Sequence, residues 1–84
     1  MPNYLVESYL ARGQAGDMRE LARRARDAAE ALRRAGKDVT YLRSSFVPED
    51  EVCLHWFAAS SVAIVDEAAQ RASLGCDRIV ESIE

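Results

Sequence analysis

The chain of 84 residues has few of the features that announce a staple, an anchor or a polyanion partner. Its only cysteines are Cys53 and Cys76, which form neither a dense framework nor a Cys-x-x-Cys pair. A secreted domain this small is more often held by disulfides, so a reducing cytoplasm is the expected compartment. No apolar run approaches the roughly 20 residues that span a bilayer. The start, Met1-Pro2-Asn3-Tyr4, has no basic stretch followed by an apolar core. Neither a membrane partner nor a signal peptide is expected. Positive charge is not in excess either: the formal net charge of -3 provides no overall pull toward nucleic acid or anionic lipid.

Against these absences stand 49% hydrophobic and 30% charged residues, enough apolar side chains to exclude an unstructured chain. The length predicts one domain over residues 1–84. A fold of this size buries a smaller fraction of its surface than a larger one, so self-association would add useful burial.

The hydrophobic period changes along the chain in a definite order. Residues 4–10 are rich in aromatic and β-branched types and end near Gly13 and Gly16, which predicts a strand and a loop. Met18, Leu21, Ala22, Ala25, Ala28, Ala29, Leu32 and Ala35 then recur at three- and four-residue spacing and predict an amphipathic helix. Asp17 is its expected N-cap, Glu20 the residue that reaches back, and Gly36 its stop. The mostly alanine stripe allows close packing on a sheet. The outer arginines are interleaved with acids at pairing distance, Glu20 with Arg24 and Glu30 with Arg34, and read as a solvated face.

Residues 39–47 and 51–57 predict two strands joined by Pro48, Glu49 and Asp50 as a hairpin turn. Ser60 or Ser61 caps a second helix carrying Ile64, Val65, Ala68 and Ala72, and residues 78–83 close the chain as a last strand. The order βαββαβ predicts a ferredoxin-like α+β sandwich: one four-stranded antiparallel sheet with two helices on one face. The other face is left for solvent, a ligand or a second subunit.

A three-residue hairpin loop pairs Tyr41 with Phe57, Arg43 with His55 and Ser45 with Cys53, and places the more apolar set, Leu42, Phe46, Val52, Leu54 and Trp56, under the helices. Tyr41, Arg43, Cys53, His55 and Phe57 then face outward. With Val6 in the core, Glu7 and Tyr9 join them, and Glu7 lies on the strand beside His55. This cluster is the predicted ligand site. His55, the one histidine, is the candidate acid, base or metal ligand, with Glu7 as its orienting or ionising partner and Arg43 as holder of an anionic group. A structural alternative pairs Arg43 with Glu7 and leaves His55 filling a dimer interface.

The segments Pro2-x-Tyr4-Leu5-Val6-Glu7, residues 41–53 and Asp77-Arg78-Ile79-Val80-Glu81 together resemble a family of small stand-alone ferredoxin-like domains of unknown function that includes a dimeric nickel-binding protein. The resemblance spans nearly the whole chain and implies the same fold, a homodimer through the sheet face forming a dimeric α/β barrel, and nickel as the possible cofactor. Where nickel-binding relatives carry histidines in the second strand and second helix, this chain has Arg43 and Ala68, leaving Glu7 and His55 as the metal candidates. The expected function is a dimeric domain holding a small organic molecule, or a divalent metal such as nickel, on the open sheet face. The alternatives are a cofactor-independent isomerase, cyclase or oxygenase using a His55/Glu7 acid-base pair, and a non-catalytic structural subunit.

Overall fold

A computed structural model describes residues 1–83 and contains strand β1 (Asn3–Tyr9), helix α1 (Met18–Arg34), strands β2 (Val39–Val47) and β3 (Val52–Ala59), helix α2 (Val62–Arg71) and strand β4 (Cys76–Ser82). The strands form one antiparallel sheet in the order β2-β3-β1-β4, the arrangement expected of a ferredoxin-like fold. Ala25, Ala28, Ala29 and Leu32 of α1 and Val65, Ala68 and Ala69 of α2 pack on Tyr4, Val6, Val39, Phe57 and Ala59 of the sheet. The small helix residues let the helices sit close, so the space beneath them takes side chains of moderate size.

Helix α1 does not begin at a capped Asp17. A 3-10 turn, Arg12–Asp17, runs directly into it; Asp17 has helical backbone angles and its side chain caps nothing. Glu20 is bound to Arg23, which also reaches Asp27 at 2.9 Å, while the expected Glu30–Arg34 pair is present at 3.7 Å. Gly36, at φ +90°, ends the helix with Lys37 N–H donating to Leu32 O and Gly36 N–H to Arg33 O. For α2 the cap is Ser61, whose Oγ accepts from Ile64 N–H at 3.4 Å.

Helix α2 ends in the same motif without a glycine. Ser73 takes the left-handed position at φ +54°, donating its N–H to Gln70 O, and Leu74 N–H donates to Ala69 O. A residue with a Cβ is strained there by about 1 kcal/mol, partly offset in a glycine variant by a looser unfolded chain. Ser73→Gly should therefore raise the unfolding free energy by about 0.5 kcal/mol, read as a higher urea midpoint at unchanged slope.

The hairpin departs from the expected register twice. Its loop has four residues, because Glu51 adopts a left-handed conformation at φ +51° and leaves Val52 to pair with Val47. The strands are thus offset by one, giving Phe46↔Cys53, Ser45↔Leu54, Ser44↔His55 and Arg43↔Trp56. A bulge at Leu42 then restores the expected partner, Tyr41↔Phe57, whose rings meet edge to face at 5.8 Å.

The facing of β3 is the reverse of the sequence expectation. Cys53, His55, Phe57 and Ala59 lie fully buried beneath the helices, and Val52, Leu54 and Trp56 lie on the open face. Tyr41 turns with them toward the helices, against the expectation, and Leu42, expected in the core, is 41% exposed at the bulge. Phe46 and Val6 are on the helix side as expected; Glu7, Arg43 and Ser45 are on the open side. Greater apolarity is no guide because, Phe57 apart, the larger apolar residues of β3 belong to the uncovered face.

Candidate functional site

Because Cys53 and His55 are two apart on β3, their side chains stand together under α1. Beyond the bulge β2 sets Ser44 opposite His55, and before it Tyr41 opposite Phe57. Met18, the first residue of α1, descends onto the same spot. The result is a continuous chain of contacts through the interior: Tyr41 Oη to Ser44 Oγ at 2.7 Å, Ser44 Oγ to His55 Nδ1 at 2.6 Å, His55 Nε2 to Cys53 Sγ at 3.1 Å, and Cys53 Sγ to Met18 Sδ at 3.3 Å.

The chemistry of the last member orients all the others. A thioether has no proton to give, so Cys53 S–H donates to Met18 Sδ. Cys53 Sγ then accepts from His55 Nε2–H, Nδ1 is unprotonated and accepts from Ser44, and Ser44 accepts from the Tyr41 hydroxyl. Both titratable groups are neutral at physiological pH. Burial lowers the His55 pKa to about 4 and raises the Cys53 thiol to about 11. This is no thiolate-imidazolium pair of the kind that makes a cysteine nucleophilic.

Beside this chain lies a cavity of about 430 Å³ between the ends of β1 and β3, the 3-10 turn and the start of α1. Cys53, Ser8, Tyr9, Gln14 and Asp17 line it, with Leu10 and Leu74 as apolar wall. The Ser8 hydroxyl is buried and has no hydrogen-bond partner among the described residues, a position that ordinarily holds a water or a ligand group.

The predicted site is therefore divided by the sheet. Cys53, His55 and Tyr41 are joined on the helix side, Phe57 is core beside them, and Tyr9, 63% exposed, borders the cavity. Glu7 and Arg43 are on the far side. Glu7 accepts from Arg78 Nε at 3.0 Å and Nη2 at 2.7 Å, and Arg43 stacks on Trp56 with its guanidinium carbon 4.2 Å from the ring centre. His55 has Val6, not Glu7, as its β1 neighbour, so the His55/Glu7 acid-base and metal pair is not assembled. Arg43 pairs with neither.

Ser44, Met18 and Ser8 were not anticipated. Only a correct hairpin register would have pointed to Ser44, and only the entry angle of α1 to Met18.

A family model described as nickel responsive protein SCO4226-like matches residues 4–81. The chain belongs to the SCO4226-like family. The crystal structure of SCO4226 from Streptomyces coelicolor A3(2) superposes with a TM-score of 0.73 at 18% identity, over 98% of this chain and 96% of that one. At that identity the likeness establishes the fold. No curated protein matches.

The nickel of the family's description finds no matching donor set. Among the described residues no three of His, Cys, Asp and Glu gather in one place, and the one histidine is sealed from the carboxylate expected to accompany it. This SCO4226-like chain offers one imidazole and sulfur, not the oxygen- and nitrogen-rich shell suited to a hydrated divalent ion.

Among the described residues no helix is long and apolar enough to cross a membrane.

Proposed function

We propose that the chain is a ligand-binding domain that works as a homodimer, with its open sheet face against a second copy and its ligand, a small organic molecule or a metal ion, in the cavity beside Cys53. The observation that carries the ligand reading is the cavity itself: it joins an unpartnered buried hydroxyl, Ser8, to the thiol end of an internal polar chain. A core needs neither.

The dimer reading rests on the distribution of apolar side chains. Val52, Leu54 and Trp56 stand with Leu5 and Val80 on a face that no element among the described residues covers. Such a contiguous patch on a small domain is characteristic of an interface. The ion pair Glu7–Arg78 and the Arg43–Trp56 stack supply polar groups on that face.

Light scattering after size exclusion should give the mass of two chains, and Leu54→Asp should give one. A monomeric parent overturns the dimer. A thermal-shift panel of nickel, cobalt, zinc, reduced copper and small carboxylic acids tests the ligand separately. A ligand at about 100 times its Kd adds about 2.7 kcal/mol, or roughly 10 °C and more for a domain this small. Silence across the panel overturns the ligand reading and leaves a structural subunit.

A further inference from the structure

We propose that Met18 Sδ, Cys53 Sγ and His55 Nε2 form a binding site for one monovalent copper ion. The proposal rests on the reading of the cavity as a ligand site: of the three donors Cys53 lines the cavity, and Met18 and His55 are in contact with Cys53 behind it.

The other two donor atoms lie within 3.3 Å of the thiol sulfur: the imidazole nitrogen at 3.1 Å and the thioether at 3.3 Å. Metal bonds of about 2.0 Å to nitrogen and 2.3 Å to sulfur in a trigonal shell require donors roughly 3.8–4.0 Å apart. Each contact must open by roughly 0.7 Å: Met18, unbranched and with three rotatable bonds, absorbs this on its side, and the His55–Cys53 contact must open by rotation of those two side chains on β3.

Donor softness and number select the metal. Thiolate, thioether and imidazole are the ligands of reduced copper. Structural zinc takes four protein ligands, and nickel would require further oxygen or nitrogen donors, whereas among the described residues no third His, Cys, Asp or Glu gathers with Cys53 and His55. Charge agrees. Cys53 and His55 are 0% exposed; a thiolate with a monovalent ion is neutral there, while a divalent ion leaves a buried net charge at severe desolvation cost.

Loading requires two proton changes, and the polar chain accommodates both. The Cys53 S–H bond breaks, its proton leaves to the buffer and the sulfur binds the metal. His55 must present a bare Nε2, so its proton moves to Nδ1. Nδ1–H then donates to Ser44 Oγ, and the Ser44 hydroxyl turns to donate to Tyr41 Oη. A hydroxyl both gives and accepts, so Ser44 serves either tautomer at its 2.6 Å contact without moving. One proton is released per ion and no electron is transferred. Holding the second nitrogen of a ligating histidine is the usual office of such a partner.

The test is an anaerobic titration of the whole chain, carrying Cys76→Ser so that Cys53 is the one thiol, with copper(I) supplied against a chromogenic copper(I) chelator. The expected result is one ion held per chain, with the ultraviolet charge-transfer band of a copper thiolate and a raised melting midpoint. Met18→Leu, which conserves volume, and Ser44→Ala should each weaken retention by about tenfold or more, and Cys53→Ala should abolish the band. Circular dichroism of the Met18→Leu variant establishes that it is folded. No retention, or retention indifferent to Met18→Leu and Cys53→Ala, overturns the copper assignment. If copper fails while nickel or a carboxylic acid shifts the midpoint, the copper assignment falls and the cavity stands. If nothing shifts it, both fall.

Discussion

Between about pH 7 and about pH 4.5 the unfolding free energy is expected to fall by about 2.5 kcal/mol through His55 alone. The imidazole is fully buried, and burial lowers its pKa from 6.5 to about 4. The unfolded chain, whose histidine titrates near 6.5, takes up the proton first. The contribution is therefore fully present above about pH 6.5, is lost as the pH falls toward 4, and changes no further below that. Among the described residues no carboxylate contacts the ring to hold a proton on it; its partners there are Ser44 and Cys53. Urea unfolding of the parent and of His55→Gln at both pH values isolates the effect, since the carboxylates titrate in both. An equal loss in the two proteins would refute it. For a small domain whose total stability is of the order of 5–15 kcal/mol, this one side chain supplies much of the acid sensitivity.

Arg24→Ala is expected to destabilise the fold by about 2 kcal/mol, whereas Arg23→Ala, one residue away, should leave the urea midpoint essentially unchanged. Both belong to the basic face of α1, but they do different work. Arg23 is half exposed among Glu20 and Asp27. Arg24 crosses to the end of α2, its Nε donating to Ala72 O at 2.9 Å and its Nη2 to Ser73 O at 2.8 Å. It ties α1 to the end of α2, and it gives a charged donor to carbonyls at the negative end of the α2 dipole. Its removal leaves those carbonyls without their charged donor. Lysine keeps the charge but not the fork, so Arg24→Lys should recover only part of the loss. Urea midpoints of the three variants decide it.

How far the chain could be read from its residues depended on which interactions were local. The helices were legible because alanines and leucines at three- and four-residue spacing declare a face, and Gly36 a stop. The strand order followed from βαββαβ connectivity and handedness. What depended on contacts distant in sequence was missed. Arg24 was matched with Glu20 by spacing, when its partners are 48 and 49 residues away. The facing of β3 was judged from apolarity, which presumes that the largest hydrophobic residues lie in the monomer's own core. Here Phe57 alone of the large ones does, and Leu54 and Trp56 face outward. The same inversion hid the site. Residue type and two-residue spacing single out His55 and Cys53, but the contacts they make with Ser44 and Met18 emerge only when a left-handed Glu51 and a bulged Leu42 have set the register.

Those two irregularities also bear on how this hairpin tolerates changes of length. In an ordinary strand, losing one residue reverses the facing of everything beyond it. Between Tyr41 and Val47 the strand is already one residue longer than its partner, with the surplus at Leu42. Dropping that residue would leave a regular ladder with Tyr41 still on Phe57, Ser44 still on His55 and every side chain on its present face. The bulge is thus a reserve of length, and the one place along β2 where a single-codon deletion preserves the parity of the sheet.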